Sequence, residues 1–419
     1  RFDVEGLKPT RLLFYEDQNL REFDSKVVKI FNGRFVVLDQ TAFYPRSGGQ
    51  EPDHGFIEDI KVANVEKYGN IVIHEVEKCR VSEGQMVTCR IDGLRRNILM
   101  RHHTATHVVN GAARKALGSW VWQHSAFKGV DNARLDITHY AHLTREDLLK
   151  IEDLANQVVF KDIPVVKEVL RRNDAEQKYG FRIYQGGVVP GREVRIINIP
   201  GWDVEACGGT HCTHTGEIGL IKILKSERVQ DGVERIEFMA GETALKCVQK
   251  QEASLIEVTQ ALNAQQEKLI EAVNNLKTQF EALKKGKKAL IKKVAQLESK
   301  TISKSALEVR GLKVYVVAEE GLDEEFHIGV GEQAIEANPD LIYCAFTLQN
   351  GLVRTLVFSG SKARARGVKA GELVKRVAQI IGGSGGGNAK FGQGGGNLQE
   401  KVEEAKHKVT SIINELMTA

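Results

Sequence analysis

The chain has 419 residues, 42% of them hydrophobic and 27% charged, and a formal net charge of +4. That is the profile of an ordinary soluble protein with room for two to four domains. No apolar run reaches membrane-spanning length and no secretory leader is evident. Six cysteines without a regular framework argue against a disulfide scaffold and fit a reducing, cytoplasmic setting.

The first stretch reads as strands. KVVKIF (26–31) and RFVVLD (34–39) flank Asn32-Gly33, a strong hairpin signal, and VANVEKY and IVIHEVE flank Gly69-Asn70. MVTCRID (86–92) adds a further strand, so residues 1–92 are expected to form a small antiparallel β-barrel. Between its hairpins lies the loop 41–55, with Gly48-Gly49 at its tip.

At Asp92 the pattern changes. Residues 93–117 have helix formers, apolar periodicity and a Gly118 stop. A second helix over 144–160 carries Thr144 as N-cap with Asp147 three residues later. Mixed elements follow, and 93–245 is expected to be a compact α+β domain.

From residue 246 to 305 the chain reads as helical. Leu255, Leu262, Leu269, Leu276, Leu283, Leu290 and Leu297 repeat every seven residues, the mark of a coiled-coil seam. Lys287 and Gly286 suggest a break within KKGKK (284–288), giving a helical hairpin, a dimer seam, or both. Residues 306–419 alternate strands and helices, with a Gly-rich loop, GGSGGGNAKFGQGGG (382–396), before a last helix over 398–417, as expected of a small α/β domain. The whole is an α+β multidomain chain.

Two segments carry metal-binding chemistry. RHHTATH (101–107) puts His103 and His107 four apart, on one face of a helix. ACGGTHCTHTG (206–216) puts Cys207 and His211 four apart. Three nitrogens and one sulfur suit zinc. His102 and His124 fall off the ligand face, and Cys212 and His214 are set aside as one direction and one ligand too many. Four protein ligands close a tetrahedron, the structural pattern, whereas a catalytic ion keeps an open position. The helix lacks the Glu of H-E-x-x-H, which disfavours peptide hydrolysis of that kind.

HTATH (103–107) with CGGTH (207–211) resembles the editing domain of alanyl-tRNA synthetases and of free-standing alanyl-tRNA editing proteins. FYPRSGGQ (43–50) and GVERIEFMAGE (232–242) match the same family in the same order, and the Gly-rich terminus resembles the synthetase C-terminal domain. The resemblance implies Zn(2+) held by His103, His107, Cys207 and His211, and hydrolysis of the ester of tRNA(Ala) mischarged with serine or glycine. It implies pocket roles for Gln123, Thr106 and Cys207, with Thr106 contacting the seryl hydroxyl, and substrate contacts at Gly48, Gly49 and Arg235. The two glycines between Cys207 and His211 are expected to leave room for the CCA end. The base stays open between zinc hydroxide, a ribose hydroxyl and water ordered by Thr106 or Gln123.

No sequence expected for a class II aminoacylation core is evident, and the first residue is Arg1, so the chain is expected to be the C-terminal portion of a larger ligase, with ATP use belonging to the full-length enzyme only. A free-standing trans-editing protein is the near alternative, and a non-catalytic, zinc-stabilised RNA-binding and dimerisation module the more distant one. KARARGVKAGELVKR (362–376) carries six positive charges against one negative. With Lys390 it gives Lys362, Arg364, Arg366, Lys369 and Arg376 as expected tRNA contacts. The helical segment and the C-terminal domain are expected to mediate a homodimer.

Overall fold

In a computed structural model the protein is described at all residues except 1, 188, 190, 321–323, 350 and 419. It divides into two compact units, Arg1–Val258 and Thr259–Ala419. Among the described residues no helix is long and apolar enough to cross a membrane.

The first unit opens with a closed barrel of β1 (Glu22–Phe31), β2 (Phe35–Leu38), β3 (Gly55–Ile57), β4 (Ile60–Tyr68), β5 (Ile71–Val76) and β6 (Met86–Ile91), in the order β1-β2-β5-β4-β3-β6. Asn32 and Gly33 both adopt positive φ, 50° and 64°, which lets the β1–β2 turn follow the strand twist. Alternating side chains such as Val27, Val36, Leu38, Val62 and Val87 fill the barrel interior.

Helix α1 (Gly93–Leu117) follows at once. Asp92 caps it by accepting from the Arg95 N–H at 3.0 Å, and Gly118 ends it with a φ of 135°. Then come β7 (Gln123–Lys128), β8 (Ala133–Thr138) and α2 (Arg145–Phe160), the last opened by a capping box between Thr144 and Asp147. Strands β9 (Val166–Arg171), β10 (Glu193–Ile199) and β11 (Asp203–Ala206) form an antiparallel sheet. Strands β12 (Ile221–Gln230) and β13 (Val233–Ala240) join the earlier pair in the order β12-β13-β8-β7. Val108, Val109 and Ala112 of α1 pack with Ile151, Val158, Ile236 and Phe238 into one core.

The Leu repeat does not make one helix. Helix α3 (Glu242–Ala261) ends before Leu262, and α4 runs unbroken from Leu269 to Ser305. The break expected in KKGKK is therefore displaced to 262–268. Asn263 explains it: it takes the left-handed conformation, φ 47°, that ends helices and that Asn tolerates well. Gly286 costs a helix only about 1 kcal/mol and the lysines around it are good helix formers, so the helix continues. Leu276, Leu283, Leu290 and Leu297 form an exposed apolar row with Phe280.

The second unit carries a six-stranded sheet of β14 (Leu307–Val309), β15 (Leu312–Glu320), β16 (Leu341–Gln349), β17 (Leu352–Ser359), β18 (Ser384–Gly387) and β19 (Phe391–Gly396), ordered β14-β15-β16-β17-β19-β18. Helix α5 (Glu324–Ala337) connects the parallel pair β15 and β16. Helices α6 (Ala370–Ile380) and α7 (Val402–Leu416) complete its core. The stretch expected as a Gly-rich loop is thus a hairpin inside the sheet. Some of its glycines lie against a helix and others against the neighbouring strands. A Cβ on Gly392 would lie 2.7 Å from the Ala370 carbonyl, and one on Gly396 would lie 2.0 Å from that of Ile381. Close helix-on-sheet packing, not chain flexibility, accounts for this composition.

Candidate metal centre

Helix α1 supplies His103 and His107, and the turn after β11 supplies Cys207 and His211. Each donor lies within 4.8 Å of the others, and the three imidazoles are buried. Cys207 Sγ stands 3.2 Å from His103 Nε2 and 3.3 Å from His211 Nε2. Cys212 and His214 lie outside the cluster. Burial pushes the Cys212 thiol up to about 11, so it stays protonated, and His214 is exposed beside Asp162. His102 turns the other way, to the Gly129 carbonyl at 2.7 Å and the Thr243 hydroxyl at 3.0 Å.

The protonation states suit a metal. Burial, then neighbouring positive charge, holds His103 and His211 well below the ordinary histidine value, which keeps them neutral. For Cys207 burial pushes upward, but the hydrogen bond and charge of His107, the charge of Lys128 and the Gly209 N–H outweigh it, so the thiol lies below its usual value. Three imidazole nitrogens beside a thiol held below its usual value make a borderline-soft donor set that fits a divalent ion of the zinc type.

Several neighbours were not legible in the sequence. Thr104 places its hydroxyl 3.2 Å from His211 Nδ1 and accepts the Cys212 N–H at 3.0 Å. Gln18 accepts the His211 N–H at 2.7 Å. Glu205 reaches His107 Nε2 at 3.3 Å, and Asp203 lies 4.0 Å from His107 Nδ1. His107, Asp203 and Glu205 form a second, overlapping donor group. Asp203 also pairs with Arg114 at 2.9 Å; burial, then Glu205, pushes its carboxyl well above the usual range. One signal was available: 203, 205 and 207 alternate, so Asp203, Glu205 and Cys207 leave the strand and its end on one face.

The remaining expected site residues are scattered. Thr106 is buried and donates to the His102 carbonyl at 2.8 Å, the back-bond of a mid-helix threonine. Thr104 and Thr106 flank the His103–His107 face from opposite sides, and only the packing decides which hydroxyl meets a ligand. Gln123 opens β7, half-buried, with its N–H on Gln185. Arg235 is bound by Asp136 at 2.7 and 3.0 Å, so the carboxylate it fixes is the protein's own. Gly48 and Gly49 have φ of 57° and 74°. A Cβ on Gly49 would lie 2.0 Å from the Ala126 carbonyl, so the close approach is to β7. Gly209 likewise makes room for the His103 ring, 2.0 Å from where its Cβ would be, and Gly208 faces Tyr15. Of the room expected for a CCA end between Cys207 and His211, the part at Gly209 is taken by the His103 ring, while Gly208 is exposed.

In the second unit Lys362, Arg366, Lys369, Arg376 and Lys390 are exposed and Arg364 is half-buried. Lys369 pairs with Glu372 and Arg376 with Glu415. Lys362, Arg364, Arg366 and Lys390 make no ion pair among the described residues, although Arg366 donates to the Arg310 carbonyl at 2.6 Å.

Three stretches of the chain match families of synthetase-associated domains. Residues 194–237 match the threonyl and alanyl tRNA synthetase second additional domain, 12–95 match tRNA synthetases class II (A), and 345–415 match the DHHA1 domain. The class II match falls on the barrel, so a stretch described with those synthetases does lie in a chain expected to lack their core. The chain is 43% identical to the alanine–tRNA ligase of Nitrosopumilus maritimus over 98% of its own length and 45% of that protein. It is 40% identical to that of Methanopyrus kandleri, with the same coverage, and 41% identical to that of Pyrococcus abyssi, over 98% and 44%. It belongs to the alanyl-tRNA synthetase family and spans a little under half the length of these relatives. The C-Ala domain of the Aquifex aeolicus alanyl-tRNA synthetase aligns with 26% of the chain at 18% identity and a TM-score of 0.25.

Proposed function

We propose that this chain hydrolyses the ester of tRNA(Ala) mischarged with serine or glycine, at a Zn(2+) centre held by His103, His107, Cys207 and His211. The observation that carries the reading is the buried N₃S cluster inside the stretch shared with alanyl-tRNA synthetases. The physical need is plain. A pocket for alanine cannot exclude smaller glycine by size, and one added hydroxyl is worth only ~1–3 kcal/mol of discrimination, so the product must be destroyed at a second site.

Zinc, when bound, would supply Lewis-acid polarisation of whatever oxygen meets it. The chain's residues do the rest. Cys207, the most accessible of the four donors, marks the side from which an aminoacyl end approaches. Thr106 keeps acceptor capacity after its bond to His102 and accepts from a seryl hydroxyl. Gln123 orients the ester or its water, and the Gly48-Gly49 loop borders the pocket, with Arg235 fixing Asp136 behind it. Glu205, buried 3.3 Å from His107 Nε2, is a carboxylate set beside the donors.

The tRNA body binds the cationic face of Lys362, Arg364, Arg366, Lys369, Arg376 and Lys390. The exposed Leu276–Leu297 row pairs with a second copy, giving a homodimer in the cytoplasm. The barrel, the metal domain, the helical segment and the C-terminal domain act as four functional parts. The test is deacylation of seryl-tRNA(Ala) beside alanyl-tRNA(Ala), with and without a chelator. Equal rates on both, or no loss on metal removal, would defeat the reading; inactivity with intact tRNA binding would make the chain a non-catalytic RNA-binding module.

A further inference from the structure

Gln50 belongs to the barrel loop, 53 positions before His103, and is buried. Its Oε1 lies 2.7 Å from His103 Nδ1 and 3.2 Å from the Thr210 N–H, while its Nε2 donates to the Thr210 hydroxyl at 2.9 Å. A backbone N–H can only donate, so Thr210 fixes which end of the amide faces it. The same oxygen then faces His103, and Nδ1 must carry the hydrogen. That leaves a lone pair on Nε2, the nitrogen 3.2 Å from Cys207 Sγ. Thr210 sits between Cys207 and His211 in the chain, so one amide ties both ligand segments together.

The loop that delivers Gln50 is itself clamped. The Lys128 N–H donates to the Gly49 carbonyl at 2.7 Å, and the Glu51 N–H donates to the Lys128 carbonyl at 3.0 Å. The Lys128 ammonium, buried and without an ion pair among the described residues, donates to the Gly48 carbonyl at 3.0 Å. Gly49 allows the approach, since any side chain there would strike the Ala126 carbonyl.

We infer that Gln50 is a positioning residue of the metal centre, setting the tautomer and direction of His103, and that Lys128 holds the loop that presents it. Ligand histidines commonly give their second N–H to a carboxylate, carbonyl or water. Here a neutral amide accepts that N–H and adds no negative charge beside the Cys207 sulfur. The barrel is thereby part of the metal site rather than an appended module. The inference rests on reading the four donors as a metal centre, not on the reaction assigned to it.

The test uses the full chain and zinc itself. Gln50→Met keeps the volume and removes the acceptor, and competition with a chromophoric chelator is expected to show zinc held about 10–100-fold more weakly. Gln50→Glu, which keeps an acceptor, is expected to recover most of the loss. In ¹⁵N-histidine spectra the Nδ1–H signature of His103 is expected in the parent and in Gln50→Glu, and lost in Gln50→Met. Lys128→Met is expected to weaken zinc binding in the same direction with the thermal midpoint of the barrel retained. Zinc affinity of Gln50→Met within twofold of the parent overturns the inference. A parent that binds no zinc overturns it together with the metal reading. Zinc weakened by Gln50→Met in a chain that deacylates nothing upholds it and removes only the proposed reaction.

Discussion

The candidate metal centre of the first unit and the cationic face of the second hold charge in opposite ways. Around Cys207 the titratable groups are buried, so each needs a specific partner: Gln50 for His103, Thr104 for His211, Arg114 for Asp203. Along 362–390 the cations stand in water, and their ion pairs, such as Arg376–Glu415 with both side chains about half exposed, are worth at most ~1 kcal/mol. Buried groups are expected to fail singly and steeply. Exposed ones are expected to fail gradually and additively.

The largest break should come at Cys207. Cys207→Ala removes the sulfur donor, and metal content by atomic absorption together with seryl-tRNA deacylation should fall by at least about a hundredfold. Retention of both would remove the distinction between the two regions.

Next in size is His74, buried in the barrel between the Thr41 hydroxyl at 2.9 Å and the Val36 carbonyl at 3.0 Å. Burial lowers its pKa from 6.5 to about 4. The unfolded chain therefore binds the extra proton first. The stability from the neutral ring is fully present above pH 6.5 and is lost as pH falls toward 4, about 3 kcal/mol over that window. Hydrogen exchange of the β2 and β5 amides in metal-free protein should follow it, and His74→Gln should flatten the curve.

The two loop glycines give a finer test. Gly49→Ala meets both a left-handed φ and the Ala126 carbonyl, whereas a Cβ on Gly48 meets nothing within 4 Å. Thermal unfolding should show a loss of about 2–4 kcal/mol at Gly49 and about 1 kcal/mol at Gly48. The smallest effects belong to the exposed face: Arg364→Ala and Arg366→Ala should each weaken tRNA binding without regard to sequence and reduce the salt slope by about one.

Local periodicities carried far into the fold. The Asn-Gly turn, the Asp92 and Thr144 caps and the Gly118 stop place elements correctly because each is decided within a few residues. Lys287 and Gly286 misled on the position of the break: a single left-handed Asn263 outweighs a lysine-rich stretch that remains helical. The Gly-rich stretch misled for a different reason. Absence of side chains reads as looseness in a sequence, yet here it permits helix α6 to press on the sheet, and only the three-dimensional neighbour distinguishes the two.

For the site, i to i+4 spacing was enough to propose His103 with His107 and Cys207 with His211, since helical and turn geometry fixes those distances locally. The sequence could not show that Gln50, from a barrel loop, faces His103, or that Thr104 rather than Thr106 meets His211. Nor could it show that Gly209 is shaped to a ligand's ring, or that Arg235 is already bound by Asp136. Those relations join segments up to 107 residues apart, as between Thr104 and His211. Ligand identity is a matter of residue type and local spacing; the orientation of each ligand is a matter of what the completed fold packs against it.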